Sequence, residues 1–229
     1  MIKDIGSLVI LKNNQFIVFN KPAGLSVQED RSGDKALINL GEIYCKSRLY
    51  PVHRIDRPAS GLVLFAKNKA TAAKLSEQFQ QSRVHKNYLA VVGQLPGEPS
   101  AELSHYLLKN GRQNKSYTTK EGHPEAKLAR LRYKHIGSIE RYHLLEIELL
   151  SGRHHQIRAQ LAAIDCPVKG DVKYGFRRKN KDRSIHLHAW QLHFQHPVSK
   201  EKIQLEAPLP LEDPVWSAFN EHLSTHGTN

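Results

Sequence analysis

The 229-residue sequence has little cysteine and no long apolar run. Its two cysteines, Cys45 and Cys166, stand at no spacing typical of a metal site or a disulfide scaffold. No stretch approaches the roughly 18 apolar residues that cross a bilayer, and the N-terminal segment lacks the small-residue cleavage site of a secretory signal. These absences predict a protein of the reducing cytoplasm that has no membrane partner.

Several signatures of catalysis are missing as well. The sequence has no Walker-type phosphate loop, no GxGxxG, no GxSxG and no HExxH. Nucleotide hydrolysis and serine hydrolysis are therefore excluded. Histidine is abundant, with 14 residues, but no set of ligands has a standard zinc spacing, so we predict no metal site.

Positive charge is in clear excess. The 34 Lys and Arg residues exceed the 22 Asp and Glu residues, which gives a net charge of +12 and predicts a polyanionic partner, above all nucleic acid. Residues 101–137 and 173–183 each carry a net charge of +5. We interpret both as polar, loop-like stretches whose interleaved aromatic residues suit a groove along a phosphate backbone. The alternative is two solvated loops without a ligand.

Hydrophobic periodicity predicts an α+β fold with a largely antiparallel sheet. Helical spacing occurs in residues 34–47, 69–81, 157–164 and 215–223. Short apolar or alternating runs predict strands near residues 16–18, 61–67, 88–93, 145–149 and 186–194. No linker separates these elements, so residues 1–229 are expected to form a single domain.

The segment PVHRIDRPASG carries the first candidate site. Asp56 has Arg54 two residues before it and Arg57 directly after it, in a turn-prone context ahead of a buried strand. Nearby guanidinium groups favour an ionised carboxylate and lower its pKa, which suits a nucleophile or base. The alternative is a surface carboxylate in an ion-pair network.

Two further segments carry candidate substrate contacts. In SGRHHQIRAQLA, Arg153 and Arg158 flank His155 and Gln156 at the start of a predicted helix, where backbone N–H groups attract anions. In RVHKNYLAVVG, Tyr88 begins a predicted buried strand and could stack on a base. The alternatives are an exposed helix face for the first segment and core packing for the second.

Together these segments resemble the RluA-type family of RNA pseudouridine synthases. The resemblance spans nearly the whole chain and rests on NKPAGLSV, HRIDRPASGLVLFAK, KNYLAVVG, SGRHHQIRAQLA, CPVKGDVKYG, LHAWQL and the APLP ending. It implies a long mixed, mostly antiparallel sheet with flanking helices and a central cleft, and an enzyme without a cofactor or metal. Two departures, Ala59 where the family usually has Thr and His154 where it usually has Thr or Ser, put local loop hydrogen bonding in doubt but replace no residue with a chemical role.

The resemblance also assigns roles to residues. It implies that Asp56 is the catalytic aspartate and that Arg54 enters the space of the flipped base. Tyr88 would stack on the target uracil, and Arg158 would pair with Asp56. The residues predicted to bind substrate are Arg54, Arg57, Arg153, His155, Gln156, Arg177, Arg178 and Lys179.

The implied reaction is isomerisation of a specific uridine in structured RNA, either transfer RNA or ribosomal RNA. Whether Asp56 would attack C1′ or remove a 2′ proton stays open. The chain is expected to act as a monomer without an obligatory protein partner, and with no S4-type RNA-binding domain before NKPAG. A non-catalytic RNA-binding protein on the same fold and a metal-dependent RNA hydrolase are the alternatives.

Overall fold

The structure, a computed structural model, describes residues 4–29 and 33–226. In this part of the chain the strands are β1 (Val9–Lys12), β2 (Phe16–Lys21), β3 (Tyr50–Pro51), β4 (Ser60–Ala66), β5 (His85–Val92), β6 (Ser100–Asn110), β7 (Lys115–Thr119), β8 (Lys127–Ile139), β9 (Tyr142–Leu149), β10 (Leu187–Gln195) and β11 (Lys202–Glu206). The α-helices are α1 (Leu37–Cys45), α2 (Lys69–Gln80), α3 (Gln156–Ala162) and α4 (Pro214–His226). Two 3-10 turns cover Gly6–Leu8 and Val172–Tyr174.

The chain divides into two compact units. Unit 1 comprises Met1–Lys86 and Ala189–Pro208, and unit 2 comprises Asn87–His188 and Leu209–Asn229. The strand pairs β1–β2, β2–β4, β5–β9 and β8–β9 are all antiparallel, and helices pack beside the strands. The predicted α+β class with a mostly antiparallel sheet is therefore confirmed, whereas the single domain over residues 1–229 and the central cleft stay predictions.

Unit 1 is built on strand β4. This strand pairs with β2, which in turn pairs with β1, and the short β3 also pairs with β4. Strand β10 lies beside β4 in the same sheet and forms a hairpin with β11, in which residues 191–195 pair with residues 202–206. Every residue of β4 is buried, which confirms the buried strand that the apolar run predicted.

The core of unit 1 lies between these strands and helix α2. Leu75 of α2 is fully buried against Phe16, Leu62 and Leu64, and Phe194 of β10 joins the same cluster. Burying a leucine of this kind contributes about 1.5–3 kcal/mol. Helix α2 begins cleanly because the Asn68 side chain accepts a hydrogen bond from the backbone N–H of Thr71 (2.8 Å).

Unit 2 contains an antiparallel sheet in the order β5-β9-β8-β6-β7, and helix α3 packs against it. Strand β9 pairs with β5 and β8, β8 also pairs with β6, and β6 pairs with β7. All residues of α3 except Ala162 are buried. At α4, Asp213 accepts hydrogen bonds from the backbone N–H groups of Val215 (2.9 Å) and Trp216 (3.1 Å) and so caps the helix. In the described part of the chain, no helix combines the length and the hydropathy needed to span a membrane.

The prediction that residues 101–137 form a loop-like stretch was wrong. These residues form the long strands β6 and β8 and the hairpin strand β7. In β8 the exposed basic residues alternate with the buried Ala129, Leu131 and Tyr133, which is the pattern of a half-buried strand. The loop interpretation rested on the net charge of the segment and passed over this alternation. The predicted loop character of residues 173–183 is borne out after the 3-10 turn.

Gly61 lets β10 approach β4 closely. Its φ of +111° lies in a region that residues other than glycine rarely adopt. A Cβ at this position would also lie 2.3 Å from the carbonyl oxygen of Ala189. The glycine that follows HRIDRPAS is thus required by the backbone of the neighbouring strand β10.

We expect Gly61→Ala to lower the free energy of unfolding by more than about 3 kcal/mol, since it adds backbone strain and a collision with Ala189. The matched control is Gly97→Ala, because a Cβ at Gly97 has no neighbour within 4 Å and φ there is not positive. The control should be neutral or stabilising by about 0.5 kcal/mol. Urea unfolding of both variants measures the difference, and equal stabilities would contradict the close approach.

Candidate active site

The Asp56 loop is fixed at its start by His53. The Nε2 atom of His53 accepts a hydrogen bond from the backbone N–H of Leu64 (2.9 Å), so the ring proton lies on Nδ1. The ring stacks on Phe79 of α2 with centroids 4.8 Å apart. Burial, assisted by the positive charge of Lys86, lowers the pKa of His53 to about 3. His53 therefore stays neutral at physiological pH and anchors the loop.

A buried lysine joins this loop to the NKPAGLS segment. The Nζ atom of Lys21 donates to the backbone carbonyls of Pro22 (2.9 Å), Leu25 (2.8 Å), Arg57 (3.2 Å) and Ala59 (2.6 Å). Its side chain is fully buried. Burial lowers the pKa of Lys21 to about 7, and the negative charge of Asp56 acts in the opposite direction. Two segments far apart in sequence thus hydrogen-bond to the same amino group.

Arg57 extends the same connection. Its Nε atom donates to the carbonyl of Gly24 (2.9 Å), and its Nη2 atom pairs with a carboxylate oxygen of Asp34 (2.6 Å). The backbone N–H of Gly24 donates in return to the carbonyl of Arg57 (2.8 Å). Asp56 is half-buried, whereas Arg54 is exposed. Arg54 therefore has the exposure that a residue entering the substrate requires, and Arg57 braces the loop.

In unit 2, Gln156 organises the turn before α3. Its Oε1 atom accepts from the backbone N–H of Arg153 (2.9 Å) and from the hydroxyl of Ser151 (2.9 Å), and its Nε2 atom donates to the carbonyl of Arg130 (3.0 Å). The Nε atom of Arg153 donates to the carbonyl of Leu128 (3.0 Å). These contacts hold the turn, and a direct contact of Arg153 or Gln156 with substrate stays a prediction.

Arg158 forms a buried, two-pronged ion pair with Asp171. Its Nε atom lies 2.6 Å from Oδ2 and its Nη2 atom 2.9 Å from Oδ1 of that residue. Both side chains are almost completely buried. The guanidinium carbon also lies 4.9 Å from the centre of the Tyr174 ring. The pair fixes the orientation of Arg158.

His155 extends this cluster through Tyr174. The Tyr174 hydroxyl accepts from the backbone N–H of Ser116 (2.9 Å) and lies 3.0 Å from Nδ1 of His155. The hydroxyl can donate its own proton to Nδ1, which places the His155 ring proton on Nε2. His155 is buried and adopts a left-handed backbone conformation with φ of 53°.

His154, one of the two departures from the family pattern, has its own hydrogen bonds. Its Nε2 atom contacts the Asn114 side-chain oxygen (3.1 Å), and its Nδ1 atom contacts the Ser116 hydroxyl (2.9 Å). The ring stacks on His155 with centroids 3.8 Å apart. The hydrogen bonding that this substitution placed in doubt is therefore made, and it ties the β6–β7 hairpin to the start of α3.

The remaining candidates lie in unit 2. Tyr88 is a buried residue of β5, opposite Ile147 of β9. The exposed side chains of Arg177, Arg178 and Lys179 lie in the loop after the second 3-10 turn. The structure thus brings Arg158 and His155 into one cluster and leaves the three basic loop residues outside it. The roles assigned to all of these residues stay predictions.

From the sequence alone no role follows for Lys21 or Asp171, and Tyr174 counts only among the aromatic residues interleaved with the basic segment 173–183. Both NKPAGLSV and CPVKGDVKYG contributed to the resemblance, but these residues had no partner that the sequence could identify. Composition offered one signal, since Asp171 is the only acidic residue between Cys166 and Lys181. A single carboxylate in a basic, apolar stretch favours a buried counter-charge.

Comparisons with known proteins agree with the resemblance. The family described as RNA pseudouridylate synthase matches residues 15–163. The tRNA pseudouridine synthase C of Haemophilus ducreyi is 30% identical over 246 residues, which cover 96% of this chain and 97% of that protein. The ribosomal large subunit pseudouridine synthase C of Buchnera aphidicola is 32% identical over 218 residues, covering 89% of this chain and 67% of that protein.

A solved structure has the same fold. The protein titled human RNA pseudouridylate synthase domain containing 4 superposes with a TM-score of 0.76 and covers 94% of this chain, while 93% of that chain is covered in return. At 23% identity this likeness establishes the fold alone.

The low pKa of His53 predicts a pH dependence of stability. The unfolded state takes up a proton near pH 6.5 and the folded state near pH 3, so stability from this residue is full above pH 6.5 and falls as the pH drops. We expect His53→Gln to reduce the slope of unfolding free energy against pH, between pH 6 and 4, by up to about 1.4 kcal/mol per pH unit.

Urea unfolding across this pH range measures that slope. The control is His85→Gln, which makes the same change at an exposed histidine. An unchanged slope in His53→Gln would contradict a buried neutral imidazole at this position.

The buried Arg158–Asp171 pair predicts that replacing one carboxylate by an amide strongly lowers the free energy of unfolding. Asp171→Asn leaves a buried guanidinium without its counter-charge, and we expect a loss of about 3–5 kcal/mol in the free energy of unfolding. Asp182→Asn is the matched control because Asp182 is exposed, and its effect should stay within about 0.5 kcal/mol. Chemical denaturation compares the two variants, and a loss below about 1 kcal/mol in Asp171→Asn would refute the buried pair.

Proposed function

Because the chain belongs to the RNA pseudouridylate synthase family of isomerases, we propose that it converts a specific uridine in structured RNA to pseudouridine, with Asp56 as the catalytic carboxylate. The observation that carries this proposal is the half-buried position of Asp56 on a loop fixed by His53 and Lys21. A carboxylate held in this way is ready to act at one atom of a bound nucleotide.

The reaction needs no catalytic group beyond one carboxylate. The N1–C1′ bond breaks, the uracil turns, and a C5–C1′ bond forms, so that the proton leaving C5 is balanced by one gained at a ring nitrogen and no water is consumed. One carboxylate suffices, either as a nucleophile at C1′ or as a base at C2′. A hydrolysing glycosidase, in contrast, uses two carboxyl groups.

The other candidate residues have roles that suit base flipping. Removing a uridine from its stack costs a few kcal/mol. In the proposal, Arg54 enters the space that the flipped base leaves. Tyr88 stacks on the uracil, and Arg158 pairs with Asp56. The exposure of Arg54 supports its role. Asp171 is then a positioning residue, since it holds the Arg158 guanidinium.

The proposed substrate is transfer RNA or ribosomal RNA. One similar protein is named for tRNA and another for the ribosomal large subunit, so the proposal includes both. The net charge of +12 supports a long polyanion in either case. We further propose that the chain acts in the cytoplasm as a monomer, without a metal, a cofactor or an obligatory protein partner.

The test incubates purified protein, in the presence of EDTA, with tRNA and rRNA from cells that lack this gene, and then measures pseudouridine by nucleoside analysis. We expect pseudouridine in one of the two RNA classes and no change in RNA length. RNA cleavage would indicate a hydrolase. Binding with unaltered nucleosides would indicate a non-catalytic RNA-binding protein.

Asp56→Asn should abolish pseudouridine formation and bind RNA at least as tightly, because it removes a negative charge from a surface that binds phosphate. Asp4→Asn, which removes the same charge at an exposed N-terminal turn, should keep full activity. Rates and filter-binding affinities are measured on the same RNA. Substantial pseudouridine formation by Asp56→Asn would assign the reaction to another residue.

A further inference from the structure

Unit 2 contains a cavity that the proposed reaction does not use. Its volume is about 820 Å³, within the range of pockets that bind small organic ligands. Arg141, Tyr142, Phe176, Arg177 and Arg178 contribute to its wall. Neither Tyr88 nor Arg158, the unit 2 residues assigned to the target uridine, lines this cavity.

The Phe176 ring is held in place and only half-buried. A Cβ at Gly93 would lie 3.0 Å from Cε2 of Phe176, so the ring lies directly on the backbone of Gly93. The backbone N–H of Phe176 donates to the carbonyl of Asp171 (3.0 Å), and Gly175 turns the chain with φ of +101°. A fixed aromatic ring with one part open can stack on a planar ligand.

The two arginines that follow Phe176 have no ionic role within the described residues. Their guanidinium groups make no hydrogen bond or ion pair with any residue in 4–29 or 33–226, and both side chains are exposed. Arg130 and Arg132, in contrast, pair with Glu102. The charges of Arg177 and Arg178 are therefore available to an anion.

The loop that carries these arginines is fixed at its far end too. The Nδ2 atom of Asn180 donates to the carbonyl of Ser184 (3.0 Å) and lies 3.0 Å from Nδ1 of His186. The Nζ atom of Lys169 donates to Oδ1 of Asn180 (2.9 Å). Residues 177–179 thus connect two anchored points, which limits the positions of their side chains and forms a stable rim.

We propose that this cavity binds one unpaired nucleotide of the RNA substrate other than the target uridine. The base would stack on Phe176, and the adjoining phosphate would contact Arg177 and Arg178. An aromatic ring beside two arginines matches a nucleotide, which combines a planar base with an anion, better than it matches an acidic peptide. This proposal rests on the proposed function, because that function identifies the bound polyanion as RNA.

The first test measures fluorescence anisotropy with a fluorescein-labelled octauridylate and with an RNA duplex of eight base pairs. Stacking on an aromatic ring tolerates every base, so a uridine oligomer is an adequate probe. We expect Phe176→Leu to weaken octauridylate binding by about 5- to 100-fold and to change duplex binding by less than about twofold.

A second variant keeps the test independent of folding defects. Arg177→Gln with Arg178→Gln changes only exposed side chains, and we expect it to weaken octauridylate binding and to reduce the log-log salt slope by about 1.4. The control is Lys200→Gln with Lys202→Gln, which removes the same charge from exposed side chains just before and at the start of β11 in unit 1 and should have less than a twofold effect.

Crosslinking of the unaltered protein supplies a direct readout. An octamer that contains 4-thiouridine should crosslink to a peptide containing Tyr142 or Phe176. Crosslinks confined to other peptides would overturn the proposal. An effect of the arginine pair without an effect of Phe176→Leu would also overturn it, because it would show a phosphate contact without a nucleotide site.

Failure of this proposal differs from failure of the proposed function. If the wild-type protein makes pseudouridine while Phe176→Leu binds both probes normally, the cavity proposal is wrong and the enzyme assignment stands. If octauridylate binding depends on Phe176 but no RNA gains pseudouridine, the nucleotide site stands and the proposed reaction is wrong.

Discussion

The buried ammonium group of Lys21 is the constraint on which the candidate active site depends. Moving a charge out of water costs several kcal/mol unless polar partners replace the lost hydration. Here the partners are four backbone carbonyls from two segments that lie more than 30 residues apart. Those carbonyls would repel one another without a cation between them. The conformation of the loop that carries Asp56 is therefore coupled to strand β2, from which Lys21 extends.

Unit 2 also contains a buried basic side chain, Arg158, whose lost hydration must be replaced. Arg158 is as buried as Lys21 but has a carboxylate as its partner, Asp171, in a pairing that matches the planar fork of the guanidinium. Tyr174, Ser116 and His155 then extend the contact to strand β7 and to the start of α3. The arrangement relates helix α3 to the hairpin and to the second 3-10 turn through polar contacts rather than apolar packing alone. Such networks specify one geometry, because each member is costly to leave without a partner.

The sequence allowed much of the fold to be predicted, but few of the contacts that hold the site. Helices such as α2 and strands such as β4 were recognisable because their apolar periodicity is local. The strands of residues 101–137 were not recognised because the charge of the segment was weighed before its alternation, although the buried side of β8 carries the local apolar pattern of a strand. The partners of Lys21 and Arg158 could not be predicted from spacing, since each contact is set by how distant segments pack. His53 shows the same limit. It lies in the HRIDRPASG segment, but its contacts with Leu64 and Phe79, which fix the loop, depend on how distant segments pack.

The distribution of charge shows why counting residues does not locate an RNA-binding surface. The two basic segments each have a net charge of +5, yet they differ once the strands are paired. On the sheet of unit 2, Glu102 of β6 and Glu148 of β9 lie beside Arg130 and Arg132 of β8 and neutralise part of their positive charge. In the loop after Phe176, no described carboxylate pairs with Arg177 or Arg178, and the backbone on both sides is fixed. A polyanion gains most where cations are exposed, preorganised and not already paired, and this favours the shorter segment even though the longer one contains more basic residues.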